Sequence, residues 1–434
     1  MSLQRPANAL ALAALLILTA CGPGSQPSAT TGAAAQPTSA SAPTPAAAAS
    51  SPAASASAAV AKPAAGASPG TTASPAAGAS PAASPAAAAV PSPSAVAAAS
   101  ITGPFQGEAQ TLNGAGGTFP APLYQKWFDE YARLTGVQIN YQAIGSGGGI
   151  QGIQNQTIDF GASDAPMTDD QLAAAKGGAI FHIPTALGAI VPTYNIPGVN
   201  AKLKFTGDTL AGIYLGDIQK WNDPKLVADN PDLANVNEDI VVVHRSDGSG
   251  TTFGWTDYLS AVSPTWAQKV GKATSVDWPV GLGGSGNPGV AGEVQQSPYS
   301  IGYVELIYAL QNNLGYGMVK NQAGQFIDPT LDGVTAAAAA SAQSIPPDLR
   351  FSIVNAPGAT SYPISTATWL LAYKTETDQA KAIALTRMLW WATHEAQSFN
   401  KDLAYATVPD ALTRDSENFI KQITVNGTPA FPGR

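Results

Sequence analysis

Across residues 108–434, short runs rich in β-branched and aromatic side chains alternate with stretches whose apolar positions recur every three or four residues. The runs 137–144 (VQINYQAI), 180–183, 189–194, 240–243 (IVVV), 301–304 and 368–373 read as strands. Leu123, Trp127, Tyr131 and Leu134 share one helical face, as do the apolar positions of 380–391. Strands alternating with amphipathic helices predict an α/β protein with mainly parallel sheets flanked by helices. In such sheets ligands gather at the carboxyl ends of the strands, where turns lead into helix N-termini.

The first hundred residues show neither period. Arg5 precedes an apolar run, 9–17 (ALALAALLI), long enough for the core of an export signal but short of the ~20 residues that span a bilayer. It ends in LTACG (18–22), which resembles the lipobox of bacterial lipoprotein precursors, so residues 1–21 are expected to be a lipoprotein signal peptide with Cys21 as the lipidation site. The plainer alternative is an incidental Cys after an ordinary signal. Acyl chains on Cys21 would hold the protein on the outer face of the cell membrane, because two chains anchor stably where one does not. Residues 22–107 are almost entirely Ala, Pro, Ser, Thr and Gly. Recurrent Pro defeats helix nucleation, and large apolar side chains are too few to offset ordering entropy. A disordered tether with a reach on the order of 50 Å is expected, either as a spacer or as neutral low-complexity drift.

Composition narrows the function. The 434 residues include 21 Lys and Arg against 29 Asp and Glu, a net charge of −8, with one Cys and three His. That inventory excludes a disulfide framework and a Cys-cluster metal site, and it argues against a His-rich one; no cofactor or metal is expected. Nucleic acid is an unsuitable partner, since counterion release needs clustered basic residues.

The candidate chemistry lies in three Gly-rich turns, each at a predicted helix start: GAGGTFP (114–120), GSGGG (145–149) and RSDGSGTT (245–252). Each offers unpaired backbone N–H groups, a hydroxyl near the cap, and glycines that let main chain approach a ligand closely. Taken alone, any one is equally an ordinary cap. Together, with Arg245 beside the third, they are the equipment of an oxyanion site. A segment of similar composition, 281–289 (GLGGSGNPG), reads either as a fourth such turn or as a flexible loop that needs no ligand.

Six segments then carry a resemblance: NGAGGTFPAPLYQKW (113–127), YQAIGSGGG (141–149), DFGASDAP (159–166), IYLGD with KWND (213–223), RSDGSGT (245–251) and SIGYVE (300–305). In this order they resemble the periplasmic phosphate-binding proteins of bacterial phosphate-specific ABC transporters, the PstS-type solute-binding lipoproteins. The resemblance implies a two-lobed periplasmic-binding-protein-like fold of type II, with two chain crossings. Lobe I would comprise 108–187 plus 357–434, and lobe II 188–356. It further implies that Thr118 and Phe119, Ser146, and Ser249, Gly250 and Thr251 donate to inorganic phosphate, that Arg245 supplies the cation, and that Asp247 orients Arg245. Position 147 is Gly where some relatives carry a second Ser, leaving only its main chain to contribute. The implied partners are the permease and ATPase subunits of an ABC importer, for a monomeric extracytoplasmic receptor.

By the same resemblance Asp164 is the carboxylate that touches the ligand. Beside an anion it repels by about 4 kcal/mol at 4 Å unless the anion carries a proton. Phosphate has a P–OH to donate and sulfate at neutral pH has none, so one residue attracts the first and rejects the second. Its plainer reading is a cap before Ala165-Pro166. The alternatives to phosphate capture are another tetrahedral oxyanion, sulfate or arsenate, or a phosphate-ester hydrolase. Against the last, no G-x-S-x-G elbow surrounds Ser146 or Ser249 and no phosphate loop of the Walker type occurs. Asp169-Asp170 and Asp415/Glu417 read as solvated helix charges, His182 and His244 as packed or surface residues, and Trp390-Trp391 as core.

Overall fold

The alternation read from the sequence becomes one mixed sheet with helices packed against it. A computed structural model describes residues 100–433, all within one compact unit; the 9–17 run, Cys21 and residues 22–99 of the expected tether lie outside the described residues. Residues 100–107 are not tether: Ile101 is buried and its amide donates to Glu395 Oε1 at 3.3 Å, while Arg387 donates to the Thr102 carbonyl and lies over the Phe105 ring, so the packed domain begins before the expected boundary at 108. The strands that build the sheet are β1 (Thr111–Gly116), β2 (Gln138–Gln142), β3 (Phe160–Ser163), β4 (Ile180–Asn195), β5 (Val241–Arg245), β6 (Leu282–Gly284), β7 (Ser300–Glu305) and β8 (Ser365–Tyr373). They lie in the order β2-β1-β3-β8-β4-β7-β5-β6, and a ninth, Gly315–Tyr316, pairs with β4 off this path.

Each flank is parallel: β1 pairs with β2 and β3, and β5 with β6 and β7. The centre is antiparallel, with β8 running against β3 and β4, and β4 against β7. The parallel expectation therefore describes the flanks, while the two central strands join them.

The separate strands expected at 180–183 and 189–194 are one strand of 16 residues, and Pro184 and Gly188 do not break it. Pro184 lies opposite Trp369 and Ala186 opposite Thr368, so a register shift absorbs Thr185 and tolerates the missing N–H of Pro184. Downstream of that bulge β4 pairs with β7, carrying the chain from one flank to the other.

Five helices concern the site: α1 (Ala121–Thr135), α2 (Ser146–Gln154), α3 (Gly250–Val262), α4 (Gly286–Gln296) and α5 (Gln379–Thr393). Leu123, Trp127 and Tyr131 bury the predicted face of α1, and Gly136 ends the helix in the left-handed region at φ 83°, where its lack of a Cβ costs nothing. Trp390 and Trp391 on α5 are core: Trp391 meets Trp127 edge-on, and Trp390 stacks on Phe431. His182 is buried, its Nε2 accepting from the Met167 amide at 3.0 Å, and His244 stacks on Trp278. Among the described residues no helix is long and apolar enough to cross a membrane.

Candidate functional site

Every turn predicted to carry chemistry leaves the carboxyl end of a parallel strand. Thr118 and Phe119 follow β1 and lead into α1; Ser146 is the first residue of α2, after β2; Asp164 follows β3. From the other flank Arg245 ends β5, and Ser249, Gly250 and Thr251 form the cap and first turn of α3. Thr118, Phe119, Ser146, Asp164, Arg245, Ser249, Gly250 and Thr251 are all buried.

Glycines let the two flanks touch. A Cβ at Gly250 would lie 2.5 Å from Asp164 Cβ and 2.6 Å from Ser146 Oγ, so the first turn of α3 sits directly on the β2 and β3 turns. Gly147 approaches Gly248 so closely that a Cβ would lie 3.0 Å from its Cα, and its amide donates to the Gly248 carbonyl at 2.8 Å. The main chain of position 147 thus bridges the flanks.

Donors outnumber acceptors here. The amides of Phe119, Ser146, Gly250 and Thr251 have no hydrogen-bond partner among the described residues, although buried amides are almost always paired. The Ser249 hydroxyl accepts from the Thr252 amide at 3.0 Å, capping α3, and keeps its proton to donate. The Ser249 amide is engaged by the Thr274 carbonyl at 2.8 Å, so only its side chain can serve a ligand. The Arg245 side chain is 1% exposed and held by Asp247 through Nε–Oδ1 at 2.7 Å and Nη2–Oδ2 at 2.5 Å. Asp247 is therefore placed to aim the guanidinium, and its Oδ1 also accepts from the Gly286 amide at 3.0 Å. Burial raises the Asp247 carboxyl, but the bonds and charge of Arg245 outweigh it and leave it below its ordinary value.

Asp164 is the second carboxylate among these groups, and unlike Asp247 it is buried. Its Oδ1 accepts from Thr368 Oγ1 at 2.8 Å and its Oδ2 from Ser146 Oγ at 3.2 Å. Loss of water pushes it up to about 7, against the opposing effects of Thr368, Arg245 and Ser146. A group poised there accepts a proton from a guest readily and resists sitting unprotonated beside a fully ionised one.

Two contributors went unread in the sequence. The 281–289 segment is neither a flexible loop nor a separate anion turn: it forms β6 and the start of α4, and Asn287, wholly buried, bonds to Thr118, Thr251 and the Glu305 amide. Its SGN start after a Gly-rich run was the available signal, indistinguishable in composition from a loop. Thr368 lies mid-strand on β8 and gave no local signal at all. A groove of about 550 Å³ lined by Ala338, Pro346, Leu412 and Phe419 among others includes none of these residues.

Residues 34–385 match the family described as the PBP superfamily domain. Phosphate-binding protein PstS of Pasteurella multocida is 44% identical over 306 residues, covering 70% of this chain and 88% of that protein. The protein of the same name from Haemophilus influenzae is 44% identical over 303 residues, covering 70% and 90%. A more distant PstS, from Methanocaldococcus jannaschii, is 36% identical over 332 residues, covering 71% and 85%. Among solved structures, a high affinity periplasmic phosphate-binding protein (PfluDING) bound with phosphate aligns at TM-score 0.57 and 20% identity, covering 70% of this chain and 92% of that one. The phosphate binding protein of Stenotrophomonas maltophilia aligns at 0.55 and 17%, covering 71% and 94%. At such identities the structural likeness speaks for the fold.

Proposed function

The chain belongs to the PBP superfamily and, within it, to the PstS-type phosphate-binding proteins, and from that membership we propose that it captures inorganic phosphate between two lobes and delivers it to an ABC-type importer. The observation that carries the assignment to these residues is the set of buried amides of Phe119, Ser146, Gly250 and Thr251, unpartnered among the described residues and gathered with Arg245 beside the buried carboxylate of Asp164. Charge-assisted hydrogen bonds contribute about 1.5–3 kcal/mol each, so several together offset the desolvation of an anion without a full set of counter-charges. Asp164 takes the P–OH proton, which selects phosphate over sulfate.

The lobes of this reading are 108–187 plus 357–434, and 188–356. Donors from both lobes meet on the anion, so binding shifts an open–closed equilibrium toward the closed form. The protein acts as a monomeric receptor rather than an enzyme, exported and held through lipidated Cys21, with the tract that precedes the packed domain letting the receptor reach a permease driven by its ATPase partner.

Equilibrium titration with phosphate in the presence and absence of a large excess of sulfate tests the assignment. Saturable 1:1 binding that sulfate leaves unchanged is expected; equal affinity for sulfate removes the role given to Asp164. Phosphomonoesters incubated with the protein, with and without divalent metal, should show no turnover, and robust turnover would replace the receptor by a hydrolase.

A further inference from the structure

Asn287 Oδ1 accepts from the Glu305 amide at 2.9 Å. A backbone N–H can only donate, so this bond settles which end of the side-chain amide is which and turns Nδ2 toward the site. Nδ2 carries two protons, and it reaches one hydroxyl from each flank: Thr118 Oγ1 and Thr251 Oγ1, each at 3.0 Å. Both oxygens have a second donor. Thr118 Oγ1 also accepts from the Asn287 amide at 3.0 Å, and Thr251 Oγ1 from Arg245 Nη1 at 3.3 Å.

A threonine hydroxyl has two lone pairs and one proton. With both lone pairs engaged, each of these hydroxyls can only donate, and neither donates to any group among the described residues. We propose that Asn287 is a positioning residue that makes the Thr118 and Thr251 hydroxyls obligate donors to the bound anion. In doing so it ties the β1 turn to the first turn of α3. The inference rests on the receptor reading of the site. It has a consequence for selectivity: a P–OH of the guest finds no acceptor in either threonine, so its proton is directed to Asp164.

A double-mutant cycle on phosphate affinity tests this, with Asn287→Ala made in the wild-type chain and in a Thr118→Val/Thr251→Val background. In the wild-type chain the substitution frees both hydroxyl rotors and is expected to weaken binding about 10- to 100-fold. In the double-valine background it should weaken binding by no more than about twofold, because no hydroxyl remains to be oriented. A merely structural role predicts the same loss in both backgrounds, and that result overturns the proposal, as does wild-type affinity in Asn287→Ala. Should Asn287→Ala fail to fold, Asn287→Asp keeps the shape and the bond from Glu305. It replaces the shared donor by an acceptor that draws both threonine protons away from the guest, and binding is expected to fall at least 100-fold, whereas unchanged binding overturns the proposal. A wild-type chain that binds no phosphate ends the receptor reading and this inference together; binding with an additive cycle ends the inference alone.

Discussion

Arg245 and Asp247 meet through two parallel bonds, Nε to Oδ1 at 2.7 Å and Nη2 to Oδ2 at 2.5 Å, with the guanidinium buried and the carboxylate still 20% exposed. The pairing neutralises a buried cation and holds its remaining N–H groups toward the α3 turn.

Asp247→Asn removes the charge while keeping the shape. Breaking a fully buried pair costs about 3–5 kcal/mol, and the partial exposure of Asp247 reduces the expected loss to about 2 kcal/mol at pH 7. Because the folded-state pKa of Asp247 is depressed, its contribution is present above the ordinary value of 3.8 and disappears as pH falls through the lower folded value. Denaturant unfolding of the ligand-free protein should therefore show a gap between wild type and variant at neutral pH that closes in acid. A gap of constant size would contradict the pairing as its source.

Gly250→Ala should separate folding from binding. The position opens α3, where alanine is a better helix former than glycine, and its φ is not in the left-handed region. The added Cβ would nonetheless lie 2.5 Å from Asp164 Cβ and 2.7 Å from its backbone carbonyl carbon, contacts that only withdrawal of one flank from the other relieves. The expected outcome is a melting temperature near that of wild type with phosphate affinity reduced about 5- to 150-fold, since overpacking a closed contact costs about 1–3 kcal/mol. Calorimetry on the same sample measures both.

Asp164→Asn should stabilise the ligand-free protein in a pH-dependent way. Burial raises the folded-state pKa from 3.8 to about 7, so the native state holds a proton that the unfolded chain releases. Wild-type stability on this account falls as pH rises from about 4 to about 7, by on the order of 4 kcal/mol, and is flat beyond. Asparagine removes that slope. The variant should match wild type near pH 4 and exceed it above pH 7 in ligand-free unfolding curves; parallel curves across that range would mean that Asp164 is not desolvated as described.

Much of this site was readable from local pattern because its donors are backbone amides at helix starts. Gly-rich turns following β-branched runs mark such starts directly, as at 145–149 and 245–252, and Arg245 stands beside one of them. Contacts made across the fold were not readable. Thr368 is one of nine buried residues on β8, and only the pairing of β8 with β3 brings it to Asp164. Asn287 sits in a segment whose glycines are equally those of a loop, and its role depends on Thr118, which is 169 residues away in sequence. The unbroken course of β4 through Pro184 was hidden for a related reason: whether a proline ends a strand depends on the partner's register, which the strand's own residues do not encode.

A crystal structure of the protein grown with phosphate decides whether these groups share one anion. One tetrahedral ion is expected, with oxygens about 2.7–3.1 Å from the amides of Phe119, Ser146, Gly250 and Thr251, the Arg245 guanidinium and the hydroxyls of Thr118, Ser249 and Thr251, and with one oxygen against Asp164. An ion bound elsewhere, or these groups surrounding an uncharged molecule, would contradict this expectation.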